Sequence, residues 1–178
     1  MSAPFSHRLA DAGDIPALTA LMDAAIATHL KRVLTPQQVT ASQEIMGLDT
    51  QLIADGTYFV VLSGERIVGS GGWSKRATHF GGDHSPNRDA RVLDSQTEPA
   101  RVRAMYTHPD FARRGIGKLI LRLCESAARD AGFARVALVA TMSGLPLYRA
   151  CGYRDGEAFE ERTPSGINVP MMRMDKDL

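Results

Sequence analysis

A strand-like run, a glycine turn and an amphipathic helix follow one another between residues 102 and 131. The run is apolar up to Tyr106, the turn contains Gly115 and Gly117, and the helix has one apolar and one charged face. A second apolar run follows at residues 133–140. Strand, helix and strand in this order form one crossover unit, so we predict that the two strands are parallel neighbours.

Periodicity elsewhere predicts further strands and helices. The predicted strands are 5–10, 57–62, 66–74 and a terminal hairpin that turns at 163–166. Helices are predicted to begin after Asp14 and after Thr35, which we expect to act as N-caps, while the polar stretch 37–46 could form a mobile cover. Loops as long as 76–98 are often functional in compact domains, and we expect this one to be so.

The glycine turn has the properties of an anion site. Glycines let the backbone approach a ligand closely, and the first N–H groups of a helix lack internal partners. The helix dipole favours negative charge at this end, and Arg113 and Arg114 add fixed positive charge. The turn between Ala112 and Lys118 therefore predicts a seat for a phosphate or a pyrophosphate.

Two nucleotide-binding patterns fail at this turn. A P-loop needs a glycine where Ala112 stands and a hydroxyl residue where Leu119 stands. A dinucleotide fingerprint needs a third glycine where Ile120 stands, and an acid about 20 residues further on, where Arg135 lies. Neither kind of site is therefore predicted.

A third pattern fits better. The turn resembles the acetyl-CoA-binding motif of the GNAT acyltransferase superfamily, in which Arg/Gln-x-x-Gly-x-Gly/Ala precedes a helix. Gly115 and Gly117 match the two small positions, whereas Ala112 departs from the usual Arg or Gln. Because the loop amides are expected to hold most of the pyrophosphate, this departure weakens the match only slightly.

A second segment supports the same resemblance. Residues 145–153 are similar to the late motif of the family, a short helix with Tyr148, then Gly152 and an aromatic residue. The resemblance covers residues 57–176 well and the preceding part of the chain loosely. It implies an α/β (α+β) fold, as a single domain over residues 1–178. This fold has a mixed, mostly antiparallel central sheet flanked by helices, and a parallel strand–helix–strand unit at the cofactor site.

The resemblance implies an N-acetyltransferase that binds acetyl-CoA and moves the acetyl group to a primary amine by direct attack on the thioester. Tyr148 is implied as the catalytic proton donor to the departing thiolate, because a phenol with the ordinary pKa of about 10 is protonated at neutral pH. The alternative is a tyrosine that only packs under its helix. Backbone groups of Met105 and Thr107 are implied to pair with the pantetheine arm. The expected cofactor-binding residues are Met105, Thr107, Arg113, Arg114, Gly115, Ile116, Gly117 and Lys118.

The general base and the acceptor pocket stay open. The candidate bases are His79, Asp83, Glu98 and His108. A base acting through water is an equal alternative. The candidate acceptor contacts are His29, Tyr58, Trp73 and Phe80. For Tyr58 and Trp73 the alternative is core packing. Arg101 and Arg103 alternate along one strand face and are predicted to be solvated, with an acidic acceptor as the alternative.

Composition limits the other function classes. The chain of 178 residues is 44% hydrophobic, which is enough for a core, and its net charge of +1 creates no strong field towards nucleic acid or an acidic membrane. No apolar run approaches the length of a membrane span, and the N-terminus lacks the apolar core of a signal peptide. Cys124 and Cys151 have no metal-type spacing and are predicted to be reduced thiols of a cytoplasmic protein, without a metal.

The expected partner is a small-molecule amine or a peptide amine, with neither nucleic acid nor membrane, and assembly into a homodimer is left open. Two other functions also stay open. One is a non-catalytic CoA-sensing or protein-binding module on the same scaffold, and the other is an acyltransferase that uses a longer acyl-CoA. The presence of Tyr148 favours an enzyme, whereas the lack of an obvious base favours the module.

Overall fold

The computed structural model describes residues 5–86 and 88–178, so residues 1–4 of the predicted domain and position 87 of the long loop lie outside the description. The strands are β1 (Ser6–Leu9), β2 (Tyr58–Ser63), β3 (Arg66–Ser74), β4 (Ala100–Thr107), β5 (Arg135–Thr141), β6 (Arg154–Arg162) and β7 (Asn168–Asp177). The α-helices are α1 (Ile15–His29), α2 (Pro36–Ser42), α3 (Thr50–Ala54), α4 (Ile116–Asp130) and α5 (Leu145–Ala150). Short 3-10 turns cover Ala12–Asp14, Leu30–Arg32 and Pro109–Phe111.

The strands form one seven-stranded sheet in the order β1-β2-β3-β4-β5-β7-β6. Neighbouring strands are antiparallel except β4 and β5, which are parallel and are joined through α4, as the crossover unit predicts. Among the described residues, β4 pairs with β5 at Ala100–Val136 and at Arg101–Ala137, near the start of both strands. Beyond these pairs the two strands separate, and a cleft opens towards their C-terminal ends.

Helices cover both faces of the sheet. On one face, α4 buries its apolar stripe, which includes Ile120 and Cys124, against β3, β4 and β5. The glycines of β3 make this close approach possible, because a Cβ added at Gly71 would lie 2.6 Å from Cγ2 of Ile120. On the other face, α1 lies against β3 and β4, and its residues Leu18 and Met22 are buried in a cluster with Tyr106. No helix within the described residues has the length and apolar character needed to cross a bilayer.

The two predicted helix starts differ in how they are capped. Thr35 forms the predicted N-cap of α2, with a reciprocal hydrogen-bond pair to Gln38. α1 does begin directly after Asp14, but the carboxylate of Asp14 does not cap this helix. It accepts hydrogen bonds from the Arg8 guanidinium at 2.7 and 2.8 Å and from the Asp11 amide at 2.9 Å. Asp14 therefore occupies the predicted N-cap position, but its side chain bonds to Arg8 and the Asp11 amide and not to the helix, because a nearby arginine is a stronger partner for the carboxylate.

The polar stretch and the long loop are both packed against the rest of the chain. α2 begins the stretch that sequence suggested as a mobile cover, and Ile45 after it is buried with Val169 and Met171 of β7. The loop 76–98 folds back on itself, with backbone hydrogen bonds from Ala77 to Arg91 and from Leu93 to Lys75. Its first part then reaches the cleft between β4 and β5.

Candidate active site

The cleft between β4 and β5 brings together groups from six parts of the chain. Its cavity volume is about 80 Å³. The wall consists of residues from the α2–α3 connection, the 76–98 loop, β4, β5, α5 and β7: Ile45, Met46, Gly47, His79, Phe80, Gly81, Val102, Arg103, Ala104, Met105, Tyr106, Val139, Thr141, Tyr148 and Met171. The predicted proton donor and one of the predicted pantetheine contacts, Met105, therefore lie in the same cleft.

A β-bulge in β4 shapes one wall of this cleft. The strand register places Gly71 of β3 opposite both Ala104 and Met105 of β4, and Ala104 has a φ of 52°. The hydroxyl of the buried Tyr58 lies 3.0 Å from the Ala104 carbonyl oxygen and 2.9 Å from Oγ of Ser70, which supports the distorted backbone. A bulge leaves backbone groups unpaired with the neighbouring strand, so β4 can offer hydrogen bonds to a ligand at this point.

The N-terminus of α4 forms an open cradle of backbone amides. Gly115 is the N-cap, with a φ of 85° and no side-chain cap, and the first helical hydrogen bond runs from Leu119 to its carbonyl at 3.0 Å. The amides of Gly115 to Lys118 therefore have no partner within the helix. A Cβ added at Gly115 would meet no other group within 4 Å, so the space in front of it is open. Ile116 can contribute only its amide, because its side chain lies in the core.

The charged side chains of the turn differ in their surroundings. The guanidinium of Arg114 lies over the rings of Phe5 and Phe111, with its carbon 5.3 and 4.9 Å from the ring centroids. Arg113, with a φ of 64°, and Lys118 are exposed at the same turn. Arg113 and Lys118 are thus better placed than Arg114 to meet an anion in front of the amides.

Gly117 has a different role from Gly115. A Cβ at Gly117 would lie 2.6 Å from Cδ2 of Leu147 on α5. The absence of a side chain at Gly117 therefore lets α5 pack directly against the start of α4. Because Tyr148 follows Leu147, this contact holds the predicted proton donor beside the amide cradle.

Tyr148 is buried, with 8% of its surface exposed, and its ring packs edge-on against Tyr153 with centroids 5.8 Å apart. Burial raises the pKa of the Tyr148 phenol far above its usual value. The phenol is therefore protonated at neutral pH, as a proton donor must be.

Thr107, the other predicted pantetheine contact, lies at the end of β4 outside the cleft wall. Its carbonyl oxygen is 3.0 Å from Nε2 of His29, at the end of α1, and its backbone faces Gly69 of β3.

Of the four candidate bases, the structure brings only His79 to the cleft. Glu98 forms a two-bond ion pair with Arg91 at 2.9 Å, which lowers the pKa of its carboxyl to about 2. The Asp83 carboxylate accepts a hydrogen bond from the Thr50 amide at 3.0 Å, and His108 contacts Arg66 at 2.7 Å. Burial, together with Arg101, Arg173 and Arg103, lowers the pKa of His79 to about 4.

The four predicted acceptor contacts lie in different parts of the fold. Phe80 lines the cleft, whereas Trp73 packs edge-on against Phe133 on the α4 side of the sheet, with centroids 6.1 Å apart. Tyr58 lies under the bulge, so for both Tyr58 and Trp73 the alternative of core packing is correct. His29 contacts the end of β4 rather than the cleft wall.

The prediction that Arg101 and Arg103 are solvated was wrong, because they are only 8% and 5% exposed. Nη1 of Arg103 lies 2.5 Å from Oδ2 of Asp49, whose side chain is fully buried, and Nη2 donates to the Gly81 carbonyl at 2.7 Å. Arg88 completes the network with contacts of 2.8 Å to Asp49 and to the carbonyl of Gly82. These bonds fix the 76–98 loop against β4 and α3.

The lowered pKa of His79 predicts an acid-sensitive stability. Between pH 4 and 6.5 the unfolded chain binds more protons at this histidine than the folded protein does, so the free energy of unfolding rises with pH through this window and the contribution is complete above it. We expect the melting temperature of the wild type to fall more between pH 7 and pH 5 than that of His79→Gln. Carboxylates with lowered pKa values, such as Asp14 and Asp55, change the free energy of unfolding only at pH values below this window. Equal falls in the two proteins would contradict the prediction.

A model of the acetyltransferase (GNAT) family matches residues 25–153, which include the amide cradle and Tyr148. The chain belongs to this family. The GNAT resemblance and the mixed sheet that it implies are confirmed, and the chain is an N-acetyltransferase by family. No group of three or more His, Cys, Asp or Glu that could hold a metal ion occurs among the described residues.

Relatives of known sequence or structure agree with this assignment. The chain is 27% identical over 141 residues to the uncharacterized N-acetyltransferase YjcF of Bacillus subtilis, and the match covers 79% of this chain and 81% of YjcF. The fold is similar to that of a GCN5-related N-acetyltransferase of Rhodopseudomonas palustris, with a TM-score of 0.74, 16% identity and coverage of 100% and 98% of the two chains. It is also similar to that of YncA of Salmonella typhimurium, solved with its cofactor acetyl-CoA, with a TM-score of 0.64, 16% identity and coverage of 98% and 94%.

Proposed function

We propose that this GNAT protein transfers acetyl from acetyl-CoA to a primary amine by direct attack of the amine on the thioester. The observation that carries the proposal is the position of Tyr148, in a cleft whose other wall is the bulged strand β4. The contact of Leu147 with Gly117 keeps this tyrosine next to the amide cradle of α4. In a thioester cofactor lying along the cleft, the diphosphate would thus lie at the amide cradle and the sulfur would lie near Tyr148.

The residues present fit acetyl-CoA, which would supply the activated acetyl group as a thioester. The amides of Gly115, Ile116, Gly117 and Lys118 would hold the pyrophosphate, because they lack helical partners and open space lies in front of Gly115. Arg113 and Lys118 would add charge, and the backbone at Met105 would pair with the pantetheine arm. Acetyl-CoA bound to YncA of Salmonella typhimurium, which has a similar fold, supports this choice of cofactor.

The proton transfers can be assigned to two side chains. Oη of Tyr148 would hold the proton that the departing sulfur takes up, since the raised pKa keeps this phenol protonated. The unprotonated ring nitrogen of His79 would accept the proton that the amine loses, directly or through water. The lowered pKa keeps this ring neutral at pH 7 and also makes it a weaker base than an exposed histidine. An acyl-cysteine route is disfavoured, because the Cys124 thiol is sealed in the core and burial raises its pKa.

The proposal is tested by following thiol release from acetyl-CoA with a panel of amines that includes polyamines, amino acids and peptides. We expect saturable turnover with at least one class of acceptor. Saturable binding of CoA without turnover on the whole panel would favour a CoA-sensing or protein-binding module. Faster turnover with a longer acyl-CoA would favour that acyl donor instead.

The amide cradle predicts that Gly115→Leu raises the KM for acetyl-CoA more than tenfold. The side chain would occupy the open space, and a lost hydrogen bond to a charged group costs about 1.5–3 kcal/mol. Gly64→Leu is a matched control, because Gly64 also has a positive φ (61°) and open space around it, but lies in the β2–β3 turn. We expect both variants to lose stability through backbone strain. An unchanged KM in Gly115→Leu, or an equal rise in Gly64→Leu, would refute the placement of the pyrophosphate.

A further inference from the structure

Arg101 is a buried arginine without an acidic partner. It lies on β4 beside Ala137 of β5, and only 8% of its surface is exposed. Among the residues that the structure describes, its guanidinium makes one hydrogen bond, from Nη1 to the Pro99 carbonyl at 3.3 Å, and Nε has no partner. No carboxylate in the described part of the chain lies within 4.0 Å of it, in contrast to Arg103, which pairs with Asp49.

An unpaired buried charge is costly to a folded protein, so its retention needs a reason. Burial lowers the pKa of the Arg101 guanidinium, the charge of Glu98 acts in the opposite direction, and Arg173 and Arg91 lower it further. Glu98 forms its ion pair with Arg91 and not with Arg101. An incoming anion would supply the missing partner. Arginine suits this purpose because its planar fork binds the two oxygen atoms of a carboxylate or a phosphonate at once.

The cavity in front of Arg101 borders the cleft that contains Tyr148. Arg101 lines a cavity of about 290 Å³ together with Thr78, His79, Phe80 and the rim residues Asp89, Arg91 and Glu161. His79 and Phe80 also line the cleft that contains Tyr148. The two cavities therefore share the wall formed by His79 and Phe80, so groups bound in them lie close to one another. The rim acids do not reach the guanidinium, and Asp89 is more than half exposed.

We propose that Arg101 binds an oxyanion, a carboxylate or a phosphonate, carried by the amine that accepts the acetyl group. The inference rests on the proposed function and specifies its acceptor class. Met105 of the cleft follows Arg101 along β4 at about 3.3 Å per residue, so the amine and the anion of the acceptor are separated by several atoms.

The test compares three series of acceptors of increasing chain length: ω-aminocarboxylates, ω-aminophosphonates and neutral alkylamines. Thiol release from acetyl-CoA gives kcat/KM for each. We expect the wild type to prefer at least one anionic series over the neutral amines by tenfold or more, and Arg101→Met to lose this preference. The chain length of the acceptor with the highest kcat/KM reports the distance between the two cavities. Arg91→Met is the matched control, because Arg91 lines the same cavity but is exposed and paired with Glu98, and it should keep the preference.

A binding experiment separates this inference from the proposed function. Calorimetry measures the binding of 6-aminohexanoate and shorter aminocarboxylates in the presence of CoA and needs no turnover. Binding by the wild type, and its loss in both Arg101→Met and Arg101→Lys, would support the site even if no amine were acetylated. Arg101→Lys keeps the positive charge but lacks the planar guanidinium, so this variant still tests the site if the methionine variant misfolds. Turnover without any preference for anionic acceptors would overturn the inference while leaving the proposed function intact. Failure of every aminocarboxylate and aminophosphonate to bind the wild type would overturn it as well.

Discussion

Arg103→Met is expected to lower the free energy of unfolding by about 3 kcal/mol. The side chains of Arg103 and Asp49 are 3% and 0% exposed, so the variant would leave a buried carboxylate without its closest positive partner. The value lies at the lower end of the range for a broken buried ion pair, because Arg88 still contacts the other carboxylate oxygen at 2.8 Å. Urea denaturation of the purified variant and the wild type measures the difference.

Arg101→Met is the control for this result. Arg101 lies on the same face of β4 and is about as buried as Arg103, but no carboxylate of the described chain pairs with it. Removing an unpaired buried charge should be neutral or stabilising. If both variants lost the same free energy, the effect would come from lost packing of the long side chains, and the ion pair with Asp49 would not be its cause.

The ion pair with Asp49 also links stability to the shape of the cleft. Arg103 and Arg88 donate to the carbonyl groups of Gly81 and Gly82, in the same loop as the cleft residues His79 and Phe80. Because Gly81 directly follows His79 and Phe80 and itself lines the cleft, the buried network helps to set their position. Arg103→Met should therefore disturb acceptor use as well as stability, in contrast to a substitution on the rim.

The parts of the fold that sequence predicts are those that depend on local pattern. The crossover around α4 is readable because apolar residues at helical spacing, a glycine turn and two apolar runs follow one another within a short stretch. The five-residue helix α3 escapes prediction, since Thr50–Ala54 is too short to show a period. The glycines of β3 indicate a bulge or a close backbone contact, and a bulge does lie opposite Gly71. Its position at Ala104 is not predicted, because alanine carries no signal for a positive φ.

The candidate site shows the same division. The motif locates the glycine turn, but it cannot tell that Gly115 faces open space while Gly117 makes room for Leu147. The alternating positions of Arg101 and Arg103 along β4 would look the same in the sequence whether the two side chains were solvated or buried. Their burial depends on the 76–98 loop, which is distant in sequence. The pairing of Arg103 with Asp49 cannot be predicted from the sequence either, because the two residues lie far apart in the chain.

Tyr148→Phe is expected to lower kcat by at least about 100-fold, the lower limit of what a positioned proton donor contributes. The phenol oxygen is the only part that the substitution removes, so the ring would still pack against Tyr153 and α5 would keep its contact with Gly117. The KM for acetyl-CoA should change little, because the amide cradle does not involve this hydroxyl. Steady-state kinetics with the best acceptor of the amine panel, at saturating acetyl-CoA, measures both constants.

Tyr153→Phe is the matched control for Tyr148→Phe, since the two rings touch but only Tyr148 lines the cleft. The Tyr153 hydroxyl is buried beside Glu125 and does not line the cleft, so its removal should leave kcat near the wild-type value. Similar kcat values for the two variants would mean that the phenol of Tyr148 takes no part in the reaction. In that case the sulfur would take its proton from water, and the tyrosine would serve the cleft only as part of its wall.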